Sequence, residues 1–118
     1  MSVLKSIVSK DGVITPDCLA KALGIDLDKL ASLIGVPHLF LVEPDLISTP
    51  QCQIKLNNFA KIMYFIVRWS GSALHACTWY CTEPLAEFGG ITAEQLFKQE
   101  RYDALMHYFA HLRSGGYA

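Results

Sequence analysis

Apolar positions along this chain recur at spacings of three and four, in short stretches that end at glycine or proline, and this periodicity predicts helices throughout. Thr15-Pro16 reads as an N-cap followed by a first-position proline, opening a helix that runs to Leu23 and stops at Gly24. Asp26 then caps a second helix ending near Ile34, with Ile25 placed to staple onto Leu30 and Gly35 closing it before Pro37. Two short helices joined by a tight glycine turn form a helix-turn-helix-like pair. From His38 to Ser48 the signals mix, and a short helical turn and a loop are expected. Ser48-Thr49-Pro50 repeats the cap-and-proline start, and the residues up to Gly71 carry apolar side chains on more than one face, as a long central helix would. Ser72 caps the next helix, from Ala73 to about Cys81, in which Leu74, Cys77 and Cys81 share a stripe and Trp79 points elsewhere.

The remaining third is made of short pieces. Pro84 is suited to open a turn of helix, and Gly89-Gly90 breaks the chain. Ile91-Thr92-Ala93-Glu94-Gln95-Leu96 is a complete helix start, with Thr92 as N-cap, Gln95 reciprocating and Ile91 stapling onto Leu96, and the helix should end near Gln99. Tyr102, Leu105, Met106, Phe109 and Leu112 form the stripe of a last helix, stopped by Gly115-Gly116. Only Leu39 to Val42 has strand character, too little for a sheet. The expectation is an all-α fold, a compact bundle of short helices around one long central helix, with a helix-turn-helix-like N-terminal region over 1–47 and a second region over 48–118.

Composition narrows the class without changing that picture. The chain has 118 residues, 52% of them apolar and 18% charged, which suits one globular core. The longest apolar stretch, Phe59 to Trp69, is interrupted by Lys61 and Arg68 and falls well short of the roughly 18 to 20 residues of a membrane span. The opening Met-Ser-Val-Leu-Lys lacks the pattern of a signal peptide, so a cytoplasmic protein with no membrane association is expected. On that basis Cys18, Cys52, Cys77 and Cys81 read as small buried apolar residues, not as a disulfide framework. No phosphate loop, dinucleotide glycine fingerprint or nucleophile elbow is present, and no enzyme and no cofactor are expected. Cys77 with Cys81 and His107 with His111 have the spacing of zinc-ligand pairs, but they sit on helix faces that nothing in the sequence brings together, and no metal is expected. The net charge of −1 is uneven: residues 1 to 50 carry four Lys against six Asp plus Glu, the reverse of a nucleic-acid-binding head.

The order Trp79, Pro84, Phe88-Gly89-Gly90, Thr92, Leu96, Arg101 and Ser114-Gly115-Gly116-Tyr117-Ala118 resembles the Xre/MbcA/ParS-type antitoxins. The likeness extends to Leu30-Ala31 with Gly35-Val36-Pro37 in the head, and to Leu46-Ile47-Ser48-Thr49-Pro50 followed by Leu56, Phe59, Ile62 and Met63 in the long helix. Such proteins join a repressor-like helical head to a toxin-binding domain, and they neutralise a RES-domain toxin, an enzyme that degrades NAD, by covering its active-site cleft. The resemblance implies a stoichiometric inhibitor whose C-terminal region and tail meet the toxin, with Arg101, Arg113, Gly115, Gly116, Tyr117 and Ala118 as contacts and a carboxylate at the end of the tail available to cations in the cleft. It also implies a homodimer, and operator DNA as a further partner of the head, for which Lys21, Lys29 and His38 are the groups at hand. Three departures stand out: Ala93 replaces a usual proline, the Gln99-Glu100-Arg101 corner lacks a usual glycine, and His38 to Asp45 contains no Lys or Arg. A helix-turn-helix regulator without a toxin partner, or a degenerate stand-alone domain, remain the alternative readings.

Overall fold

A computed structural model describes residues 13–112 and shows an all-α fold. Seven α-helices follow in order among these residues: α1 (Pro16–Leu23), α2 (Leu27–Ile34), α3 (Pro44–Ile47), α4 (Pro50–Ser70), α5 (Ala73–Thr82), α6 (Ala93–Lys98) and α7 (Tyr102–His111). Two 3₁₀ turns, His38–Leu41 and Ala86–Phe88, fill the longer connections. The segment from His38 to Ile47 is therefore more helical than the expected turn and loop. Its second piece starts on Pro44, a residue preset for a first helical turn.

The local signals that place these helices are mostly side-chain caps. Asp26 accepts from the Lys29 amide at 2.8 Å, Thr49 from that of Cys52 and Ser72 from that of His75, each satisfying one of the amides a helix start leaves without a partner. Thr92 and Gln95 form the expected reciprocal box: the Gln95 amide donates to Thr92 Oγ1 at 3.2 Å and the Thr92 amide to Gln95 Oε1 at 2.9 Å. Thr15 stands at the N-cap position of α1, but its side chain makes no capping bond, and Pro16 opens the helix without it. Between α5 and α6 the Leu85 amide donates to the Ile91 carbonyl at 2.9 Å, an isolated bridge that closes the Ala86–Phe88 turn into a loop.

The core is one cluster running from Ile14 to Phe109. The long helix α4 is its axis, burying Leu56, Phe59, Ile62, Met63 and Ile66 against α5, α7 and the head. Full burial of a side chain such as Phe59 stabilises the fold by about 2–3 kcal/mol. The pair α1 and α2 joins the same cluster. Tyr80 of α5, completely buried, donates its hydroxyl to the Leu33 carbonyl at 2.8 Å, supplying a partner to one of the terminal carbonyls of α2. At the start of the described chain, Gln53 on α4 binds the backbone of Ile14 at both ends of its amide: Oε1 accepts from the Ile14 amide at 2.8 Å, and Nε2 donates to the Ile14 carbonyl at 3.0 Å.

Helix α5 departs from the sequence reading. Its buried residues are Ala76, Cys77 and Tyr80, while Leu74 is 73% exposed and Cys81 half-buried. The stripe of Leu74, Cys77 and Cys81 is thus not the core face; a single large ring at Tyr80 turned the helix toward Phe59 and Phe97 instead. Of the four cysteines, Cys52 and Cys77 are buried as expected and Cys18 is exposed on α1. Among the described residues no helix is long and apolar enough to cross a membrane.

Candidate functional site

Helix α4 carries more aromatic surface at its C-terminal end than the core uses. Phe65 and Trp69 lie one turn apart beside the buried Ile62 and Ile66, on a face that meets α7 and the second half of α5. Phe109 of α7, fully buried, stacks on Phe65 with centroids 5.7 Å apart and meets the edge of Trp69 at 5.5 Å. Trp79 stands perpendicular to Trp69, at 5.1 Å and 76°. Each such edge-to-face pair is worth about 0.5–1.5 kcal/mol beyond its area, so the rings are held in place.

Above Phe109 these side chains leave a cleft of about 610 Å³, lined by Phe65, Arg68, Trp69, Trp79, Glu83, Tyr108 and Leu112. Trp69 is 42% exposed there, an unusual position for an indole on a helix. The last described turn of α7 supplies the Tyr108 and Leu112 wall, and Glu83 ends α5 at the lip. Burial pushes the Tyr108 hydroxyl above its ordinary value, and the carboxylates of Glu87 and then Glu83 push it further. Among the described residues neither Glu83 nor Glu87 is in an ion pair. No family model, curated protein or solved structure matches this chain.

The residues expected to meet a toxin divide between two places. Arg101 is exposed at the α6–α7 corner, its guanidinium 5.5 Å from the centroid of Phe88, which in turn packs at 5.9 Å on Tyr108 of the cleft. It therefore sits on the cleft's flank. Arg113, Gly115, Gly116, Tyr117 and Ala118 lie outside the described residues, as does the expected Gly115-Gly116 helix stop; the described chain ends at Leu112, on the cleft wall.

The head groups gather elsewhere. Lys21 lines a second groove with Ala73, Leu74 and Cys77, on the side where the head meets α5, and the charge of Lys29 works to lower the Cys77 and Cys81 thiols. Burial nevertheless leaves both thiols above their ordinary value. His38 is not with them: its Nδ1 lies 2.6 Å from the Asp28 carboxylate. Of the paired residues weighed as zinc ligands, Cys77 is buried on α5, while His107 is exposed on α7. Among the described residues no three His, Cys, Asp or Glu side chains converge on a point.

Of this site, sequence reasoning singled out Trp79 alone, as one of the residues that carry the family resemblance, and passed over Phe65, Arg68, Trp69, Glu83 and Tyr108. One signal was available. A helix with apolar residues on more than one face has more apolar surface than one core needs, and in α4 the surplus falls at Phe65 and Trp69.

Proposed function

We propose that this protein is a non-catalytic cytoplasmic antitoxin, similar to the Xre/MbcA/ParS type, that binds a RES-domain, NAD-degrading toxin through residues 48–118 and covers its active-site cleft, acting as a homodimer. The observation that carries the reading is where the family-like residues fall. Trp79 is a wall of the open aromatic cleft, Arg101 rests over Phe88, which packs on the cleft's Tyr108, and the described residues end at Leu112 on the same cleft, next in sequence to Arg113 and Ser114 to Ala118. Tryptophan, tyrosine and arginine are the side chains that most often dominate protein interfaces, and this corner offers all three. The head adds little for a phosphate backbone, since its acids outnumber its lysines and His38 is engaged by Asp28.

A tagged pull-down from the native host, read by mass spectrometry, tests the proposal with the full chain and a truncation ending at Ser114. Recovery of a RES-domain protein by the full chain, reduced by the truncation, is the expected result. If an expressed RES-domain protein is recovered by neither form, the antitoxin reading fails.

A further inference from the structure

Rings on this protein habitually carry cations. Lys55 rests 5.9 Å from the Phe97 centroid, Arg68 lies 5.6 Å from Tyr64 and Arg101 lies 5.5 Å from Phe88. The two indoles are the strongest cation acceptors of all, because their ring faces hold the most negative potential, yet among the described residues neither Trp69 nor Trp79 has a cation over it. They stand at right angles in the same open cleft, with Tyr108 as a third wall, and the acid at its lip, Glu83, has no ion-pair partner among the described residues. Aromatic walls with an unpaired carboxylate make a receptor for positive charge: the ring faces attract a cation after its water has been stripped, and the acid compensates part of that loss.

We propose that the cleft binds a cationic side chain, the guanidinium or ammonium group of an Arg or Lys carried by a partner protein, between Trp69, Trp79 and Tyr108 and against Glu83. Arg68 also lines the cleft, but its guanidinium is directed to Tyr64, which is not one of the walls. A purely apolar partner would leave Glu83 without a role, and an acidic one would meet the Glu83 carboxylate, while the one cation in the lining, Arg68, is already directed to Tyr64. The proposal holds whether or not the partner is a toxin.

The chain's two tryptophans are both walls of the cleft, so its intrinsic fluorescence reports occupancy directly. N-acetyl-arginine amide, titrated into the full chain at low salt, is expected to change the emission saturably. The neutral isostere N-acetyl-citrulline amide should bind about ten-fold more weakly. Glu83→Gln, an exposed position whose helix-ending bond uses only the backbone amide, should leave the melting temperature unchanged and weaken the arginine probe several-fold. Equal binding of the two probes, no saturation, or an unaltered Glu83→Gln affinity would each overturn the proposal. A truncation ending at Leu112 separates the sources of charge: it should match the full chain, and saturation by the truncation alone would assign the cleft to the chain's own tail and not to a partner.

Discussion

Single side chains carry several of the ties that hold this fold. Among the described residues Tyr80 is the largest that is fully buried, and its one side-chain polar atom is committed to the Leu33 carbonyl. Tyr80→Phe keeps the ring packed on Phe59 but leaves a carbonyl without its partner, so it is expected to lower stability by about 1–3 kcal/mol, measured by urea unfolding. Glu100 shows the opposite situation. It is the one non-glycine with positive φ among the described residues, at 61°, in the corner where the sequence lacks the glycine of the resembling family. A side chain there crowds its own carbonyl, at about 1–2 kcal/mol. Glu100→Gly removes that cost but adds freedom to the unfolded chain, and a net gain of about 0.5–1 kcal/mol in the same unfolding experiment is expected. Burial also sets a pH limit. The Cys52 and Cys77 thiols and the Tyr80 phenol are held above their ordinary values of 9.0 and 10.0, because burial disfavours their charged forms. The unfolded chain therefore releases these protons first as pH rises, so the stability they contribute is complete below about pH 9 and is lost above it. Urea midpoints at pH 7, 9 and 10.5 should stay level to 9 and then fall.

Elements were legible where their causes are local. The caps at Asp26, Thr49, Ser72 and Thr92, and the glycines that close α1, α2 and α4, act within four residues of where they stand, so a single sequence contains them. Thr92→Ala removes one half of the box that starts α6 and should cost about 1 kcal/mol in thermal or urea unfolding. The buried face of α5 was misread because Cys77 and Leu74 fit a stripe as well as Tyr80 does, and only the position of Phe59 across the bundle decides between them. The cleft was illegible for the same reason. Its walls come from α4, α5 and α7, and no spacing within one helix says that Trp69, Trp79 and Tyr108 meet. Gly35 joins the two levels. It was read correctly as the end of α2, but its backbone also carries Lys98 of α6, held by Glu94 at 2.9 Å, and a Cβ there would stand 3.1 Å from the Lys98 Cγ.

On the scale of the whole molecule, a boundary between 47 and 48 divides the chain by sequence resemblance, while the packing runs straight across it. The hydrophobic cluster extends from Ile14 to Phe109, the Tyr80 hydroxyl binds α2, and Gln53 in the first turn of α4 holds the backbone of Ile14. A unit built this way should unfold as one. The two indoles report only on the α4, α5 and α7 end, whereas far-ultraviolet circular dichroism reports on all helices, α1 and α2 included. Urea titrations followed by tryptophan emission and by circular dichroism are therefore expected to superimpose, with a single midpoint. Gln53→Ala should lower both curves together, because the lost amide bonds belong to the shared core and not to a separable head. If the dichroism curve instead shows an earlier step that the fluorescence does not follow, the head is an independent unit, and its contacts with α4 and α5 contribute less than the continuity of the core implies.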